Sequence, residues 1–308
     1  MRLATTIGEF YPYVGTPAAA VRQYEGTGFR CLDYSFWDDN EPGAPMQGDD
    51  WRKIVEAAGE EAARLGFTFV QAHSPNYNPM DPRTDHERGM LTTRRAIEAC
   101  AMLGIPNIVV HPGCAADCRY PQGREEYFRV NKAFYESLFP VMEKTGVNVL
   151  IENSAHVNMG GNYFFYDGED MKNFLAFAGH PLLHACWDTG HANIEGHQRE
   201  DILALGDDLR AVHINDNRGE RDEHVLPFVG AASFDEVLCA LIEIGFSGPF
   251  TLECNNTLVL PHGWPFGRGE YAESKKLLTP PVFAYDALEK LLFDLGKYML
   301  TSYGVYDA

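Results

Sequence analysis

Residues 183–217 read LHACWDTGHANIEGHQREDILALGDDLRAVHINDN. Two short apolar runs, Leu183–His191 and Leu209–Asn217, close on polar motifs, and a longer amphipathic stretch separates them. Near-continuous apolar runs suit parallel strands covered on both faces, and the stretch between them has the length of a crossover helix. The same alternation recurs along the chain. Further strand candidates are Arg2–Gly8, Phe29–Trp37, Phe67–Pro75, Asn107–Gly113, Asn148–Ser154 and Pro249–Asn256, which makes eight in all. Helices are expected between them, as at Asp50–Leu65, where Trp51, Ile54, Val55, Ala58, Ala62 and Leu65 share one face. A glycine follows this helix at Gly66, and the same ending recurs at Gly104, Gly146, Gly179 and Gly245, each just before the next strand.

Eight such units in 308 residues predict an α/β chain folded as a (β/α)8 TIM barrel, a single domain over residues 1–308. An open doubly wound sheet fits less well, because no Gly-rich phosphate loop follows the first strand and polar residues recur at nearly every strand end. Hydrophobic residues make up 45% of the chain, enough for a sizeable core. The net charge of −19 would repel a phosphate backbone, so nucleic acid is not an expected partner. The seven cysteines are odd in number and scattered, which points to a reducing, cytoplasmic setting; Cys114 and Cys118 lack the second pair a zinc site would need. No stretch has the length of a signal-peptide core or a membrane span, so no membrane association is expected.

Barrel enzymes place their catalytic groups at the carboxyl ends of the strands. Here those positions read QAHSP with His73, VVHPG with His111, LIENS with Glu152, WDTGH with Asp188 and His191, AVHIND with His213, and TLECN with Glu253. Six consecutive strands finish in a metal-capable side chain. One strand-end histidine alone is more often a hydrogen-bonded structural group; recurrence at one rim is what points to a site. Carboxylates buried together without a cation would suffer desolvation and mutual repulsion. Carboxylate and imidazole donors suit one divalent metal ion, manganese first, with Mg, Co, Zn or Fe(II) as alternatives.

On the IEN, WDTGH, HIND and LEC motifs the chain resembles the xylose-isomerase-like TIM-barrel superfamily, which includes sugar isomerases, ketose 3-epimerases, keto-inositol dehydratases and type IV apurinic endonucleases. The resemblance to the epimerases implies metal ligands Glu152, Asp188, His213 and Glu253. It also implies that Glu152 and Glu253 are the catalytic acid and base on opposite faces of the substrate, with His191 bonding a substrate oxygen. A metal-dependent isomerase or epimerase of a sugar or keto-sugar follows. The alternative on the same scaffold is a lyase that dehydrates a keto-inositol or cleaves the C-glycosidic bond of a 3-keto-sugar.

The endonuclease branch is matched as well. His73, His111, Glu152, Asp188, His191, His213, Asp222, His224 and Glu253 follow the order and residue types of its three-metal site. The strong negative charge weighs against that activity, so His73, His111 and His224 are expected on the substrate side. Ketose 3-epimerases carry a second glutamate shortly after the fifth-strand ligand; here the run is NSAHVN, with His156 and Asn158 in its place.

The expected partner is a small-molecule carbohydrate. Arg218, after the seventh strand, is a candidate substrate contact. Long rim loops are expected at residues 38–50 and 255–280, and loops of that length are usually functional. The second carries His262, Trp264, Phe266 and Tyr271; Trp264 is assigned to substrate binding, although these aromatics serve equally well as a contact in a homo-oligomer. Tyr11, Tyr13 and Trp37, near the first two strand ends, are candidates for an apolar wall, with packing in the barrel core the stronger expectation for Trp37.

Overall fold

The computed structural model describes residues 1–258 and 280–307. Eight strands lie in chain order: β1 Arg2–Thr6, β2 Cys31–Ser35, β3 Thr68–His73, β4 Asn107–Val109, β5 Asn148–Glu152, β6 Leu183–Asp188, β7 Leu209–Ile214 and β8 Pro249–Leu252. Each pairs in parallel with its sequence neighbours, and β1 pairs with β8, so the sheet closes into the expected barrel. The surrounding helices are α1 Pro17–Gln23, α2 Trp51–Leu65, α3 His86–Leu103, α4 Arg124–Glu136, α5 Phe139–Thr145, α6 His156–Met159, α7 Gly168–Ala178, α8 Thr189–Glu195, α9 Gln198–Leu205, α10 Phe234–Glu243 and α11 Val282–Ser302. Among the described residues no helix is long and apolar enough to cross a membrane.

The helix ends follow from the sequence. Asp50 stands just before α2, and Gly66 ends it in the left-handed conformation at φ +77°. Gly104, Gly146 and Gly179 end α3, α5 and α7 the same way, which lets each helix stop and turn into the next strand. Most of the hydrophobic core lies between strands and helices. Inside the barrel two small apolar layers, Ala4–Cys31–Val70 and Val109–Leu150–Cys186–Ala211, fill the bore. A filled bore confines the polar side chains to one open end.

The strands stop earlier than the apolar pattern suggests. The run expected as Leu183–His191 is strand only to Asp188 and turns into α8 at Thr189, because the Asp188 carboxylate accepts a hydrogen bond from the His191 backbone N–H at 2.7 Å and caps the helix. Likewise β4 ends at Val109 and β7 at Ile214, leaving His111 and Asp216 on the rim beyond the ladder. The loop at residues 38–50 follows β2 and contains short 3-10 turns at Trp37–Asn40 and Pro45–Gln47.

Candidate metal centre

The rim motifs brace one another before they offer donor atoms to the site. In IEN, Asn153 bridges two strand ends: its amide donates to the Asp188 carbonyl at 3.0 Å and its side-chain oxygen accepts from the Asp188 N–H at 2.7 Å. In WDTGH the glycine is required by space, since a Cβ at Gly190 would stand 1.8 Å from the Asn215 side-chain oxygen. In HIND, Asp216 accepts from the backbone N–H groups of Gly230 at 2.8 Å and Ala232 at 3.0 Å, which ties down the loop that returns Asp222 and His224 to the site. His224 is held in the left-handed region at φ +45°, a conformation that costs a non-glycine residue about 1 kcal/mol.

These braces gather nine side chains. Glu152, Asp188, His213 and Glu253 each offer a ligand atom within 4.8 Å of the others, and so do His73, His111 and Glu152, and Asp188, His191 and His224. His213 Nδ1 lies 2.6 Å from Glu152 Oε1 and 3.2 Å from Glu253 Oε2. His111 Nε2 is 2.7 Å from Glu152 Oε2. On the other flank Asp222 meets His191 Nε2 and His224 Nε2, both at 3.0 Å, and accepts from the Asn158 amide at 2.8 Å.

Three of the histidines have their outer nitrogen fixed by a main-chain carbonyl. Nδ1 of His73 faces Ser74 O at 3.0 Å, that of His191 faces Asn153 O at 3.0 Å, and that of His224 faces Glu253 O at 3.2 Å. Each therefore donates from Nδ1 and turns Nε2 toward the carboxylates.

Burial and the imidazoles pull the carboxylates in opposite directions. Burial works to raise Glu152, but His213, His111 and His73 override it and hold the carboxyl well below the usual range. Glu253 is treated the same way by His213 and His224 and falls to about 2. Burial wins at Asp188, which is raised despite His191 and His224. Burial works to lower His191, but Asp188 and Asp222 lift it to about 10. Oxygen and imidazole donors converging at this density suit a divalent cation, which would replace the imidazole protons as the balancing charge.

Above the cluster opens a cavity of about 970 Å³. Tyr11, Tyr13, Trp37 and Phe164 form part of its wall, and among the described residues lining it there is neither lysine nor arginine. Trp37 leaves the core position expected for it: it is 41% exposed, and its ring stands edge-on to His73 and His111, with centroids at 5.1 and 5.6 Å. Ser35 is the last residue of β2, so Trp37 already belongs to the rim.

Arg218 does not reach the cavity. Its guanidinium pairs with Glu223 on the surface, and Gly219, at φ +79°, turns the chain away behind it. His156 also faces outward, pairing with Glu195 at 2.9 Å, whereas Asn158 lines the cavity. His262, Trp264, Phe266 and Tyr271 lie outside the described residues.

Sequence reading missed the layer beneath the cluster. Gln71, Cys186 and Thr251 each stand two residues before a rim ligand on the same strand, so the strand's period of two points them into the barrel below it. Glu9 was missed as well: it follows β1, is 6% exposed and lines the cavity.

Known proteins resemble the chain at two levels. A probable endonuclease 4 of Geobacter sulfurreducens is 30% identical over 204 residues, covering 59% of this chain and 64% of that protein. Matches to three further curated relatives span 53–64% of those proteins' lengths. Among solved structures, a D-tagatose 3-epimerase-like protein superposes with a TM-score of 0.72 at 20% identity, covering 98% of this chain and 97% of that one. The D-allulose 3-epimerase of a Methylomonas species gives 0.70 at 18% identity, covering 97% and 98%. The sequence profile of the xylose isomerase-like TIM barrels matches residues 21–278, and the chain belongs to that family.

Proposed function

We propose that the chain is a metal-dependent isomerase or epimerase of a neutral sugar or keto-sugar, with Glu152 and Glu253 moving the proton. The observation that carries this reading is the pair of carboxylates that reach one imidazole at the cavity floor, Glu152 and Glu253 at 2.6 and 3.2 Å from His213 Nδ1. A divalent ion held by Glu152, Asp188, His213 and Glu253 would polarise a substrate carbonyl and make the neighbouring C–H acidic. One glutamate then removes that proton and the other returns one to the opposite face, which inverts the carbon. Delivery to the adjacent carbon instead interconverts an aldose and a ketose. His191 is positioned to bond a substrate oxygen, and the apolar wall excludes water from the reacting carbons.

The sugar epimerases among the structural neighbours support the substrate class, and a cavity lining without lysine or arginine among the described residues favours a neutral sugar over a phosphorylated one. The cysteines are all free, which supports a reducing, cytoplasmic setting. The test is incubation of Mn2+-loaded protein with D-allulose, D-fructose and 3-keto-glycosides in D2O. Deuterium entering an intact sugar supports the proposal, release of a second product turns it into a lyase, and no exchange with any of these carbonyl sugars refutes it.

A second reading has its own observation. The His73–His111–Glu152 cluster and the His191–Asp222–His224 cluster flank the central one, and a proton-transfer enzyme with one metal does not need them. Several metal ions there would suit phosphodiester hydrolysis, as the match to probable endonuclease 4 also suggests. Metal analysis separates the two: about one ion per chain favours the sugar enzyme. Two or three zinc ions, together with nicking of abasic DNA, would favour the hydrolase.

A further inference from the structure

His213 differs from the other histidines of the cluster whose outer nitrogen is fixed. His73, His191 and His224 give Nδ1 to a main-chain carbonyl, so the proton on that nitrogen is held by backbone that cannot change its role. His213 is turned the other way round, with Nδ1 toward Glu152 and Glu253. Its Nε2 points down the bore and meets a side-chain amide, Gln71 Nε2, at 2.7 Å.

That amide is enclosed. Gln71 is 0% exposed, its amide nitrogen is 3.0 Å from Asp33 Oδ2, and its oxygen accepts from Thr251 Oγ1 at 3.3 Å. Asp33 is 2% exposed and Thr251 is 1% exposed, so water does not compete for these bonds. An imidazole that ligates through Nδ1 must carry its proton on Nε2, and that N–H needs an acceptor. The Gln71 amide stands 2.7 Å from that nitrogen, with the Cys186 thiol also beside the ring.

We propose that Gln71 is a positioning residue that sets the tautomer of His213, and through it the strength with which the central cluster holds a divalent cation. Half a turn of the amide exchanges its nitrogen and oxygen. With nitrogen toward His213, the ring holds its proton on Nδ1 and donates to Glu152. With oxygen toward His213, the proton sits on Nε2, Nδ1 is free to ligate, and the amide nitrogen faces the Thr251 hydroxyl, which accepts. In that second arrangement an Asp33 oxygen lies beside the amide oxygen and must carry a proton. Burial works in that direction, raising the Asp33 carboxyl against the pull of His213 and His73. Asp33, Gln71 and Thr251 thus form a latch beneath the cluster with a different chemistry from the fixed carbonyls around it.

The inference rests on the metal reading of the central cluster but not on any substrate. The experiment titrates Zn2+ into the unaltered chain and into Gln71→Leu against a chromophoric chelator. It also records histidine ring 15N shifts of the unaltered chain with and without Zn2+, with His213 assigned by its absence in His213→Asn. The expected results are a 10- to 100-fold loss of affinity in Gln71→Leu and a proton on Nε2 of His213 in the zinc-loaded unaltered chain. Equal affinity of the two proteins, or a zinc-loaded His213 that keeps its proton on Nδ1, overturns the role of Gln71 while leaving the metal reading intact. Failure of the unaltered chain to take up Zn2+ overturns both. The shift measurement uses the unaltered Gln71, so the test stands even if Gln71→Leu does not fold.

Discussion

Two groups of buried carboxylates in this barrel meet opposite fates. Glu152, Glu253 and Asp222 are buried among histidines, which outweigh desolvation and keep them charged. Glu9 and Glu289 are buried as deeply as Glu152, at 6% and 0% exposure against 3%, and of the imidazoles only His224 pulls on Glu9, too weakly to offset burial. Glu289 Oε2 accepts from Thr5 Oγ1 at 3.0 Å, while Oε1 has no hydrogen-bond partner among the described residues. Burial, followed by the charge of Glu289, pushes Glu9 well above the carboxylate range, and burial pushes Glu289 to about 8. Burial alone does not make a reactive carboxylate; the company it keeps decides whether it holds charge or a proton.

The largest expected effect lies in the charged group. Glu152→Gln and Glu253→Gln should each lower turnover roughly 10³-fold, with the fold intact by circular dichroism, because each removes a proton carrier. Turnover close to the unaltered chain in both would remove these carboxylates from the chemistry.

The protonated group should respond to pH instead. Glu289 is raised from an ordinary carboxyl value to about 8 on folding, so its contribution to stability is fully present at low pH and fades as pH rises through that value. Glu289→Gln should therefore gain stability relative to the unaltered chain between pH 5 and pH 9, on the order of 3 kcal/mol by linkage. Denaturant melts at the two pH values check this, and a constant difference would place the Glu289 proton elsewhere.

Cations should tell the two groups apart. A divalent ion at a hundred times its Kd should stabilise the fold by about 2.7 kcal/mol, and a chelator should reverse it. Glu289→Gln should keep that increment and Glu253→Gln should lose most of it, as read by thermal melts. Smallest is the cavity wall: Trp37→Ala removes a ring-stacking surface worth about 1 kcal/mol, which should raise KM several-fold and leave kcat nearly unchanged.

Much of this centre is legible in the chain. The strand ends QAHSP, VVHPG, LIENS, WDTGH, AVHIND and TLECN announce the residues that gather at the rim, because parallel strands of one barrel all finish at the same end. Where the strand pattern hides a helix cap, reading failed: Leu183–His191 continues apolar past the point at which Asp188 starts α8. For Trp37 the sequence leaves wall and core both open with core favoured, and its place two residues beyond Ser35 puts it over the histidines. Arg218 follows HIND closely in sequence, yet a nearby glutamate and a glycine turn take it to the surface.

The barrel, the kind of metal-capable side chain at each strand end and the glycines that stop the helices are written in the sequence itself, because these depend on local periodicity and on the shared direction of the strands. Only the tertiary structure decided which nitrogen of His213 faces the carboxylates, that Gln71 and Asp33 lie beneath it, and that Glu9 and Glu289 are buried close enough for burial and mutual repulsion to raise the Glu9 carboxyl. Those outcomes depend on contacts between residues 38 to 284 positions apart, and ring orientation and protonation are set by neighbours that only barrel closure brings together.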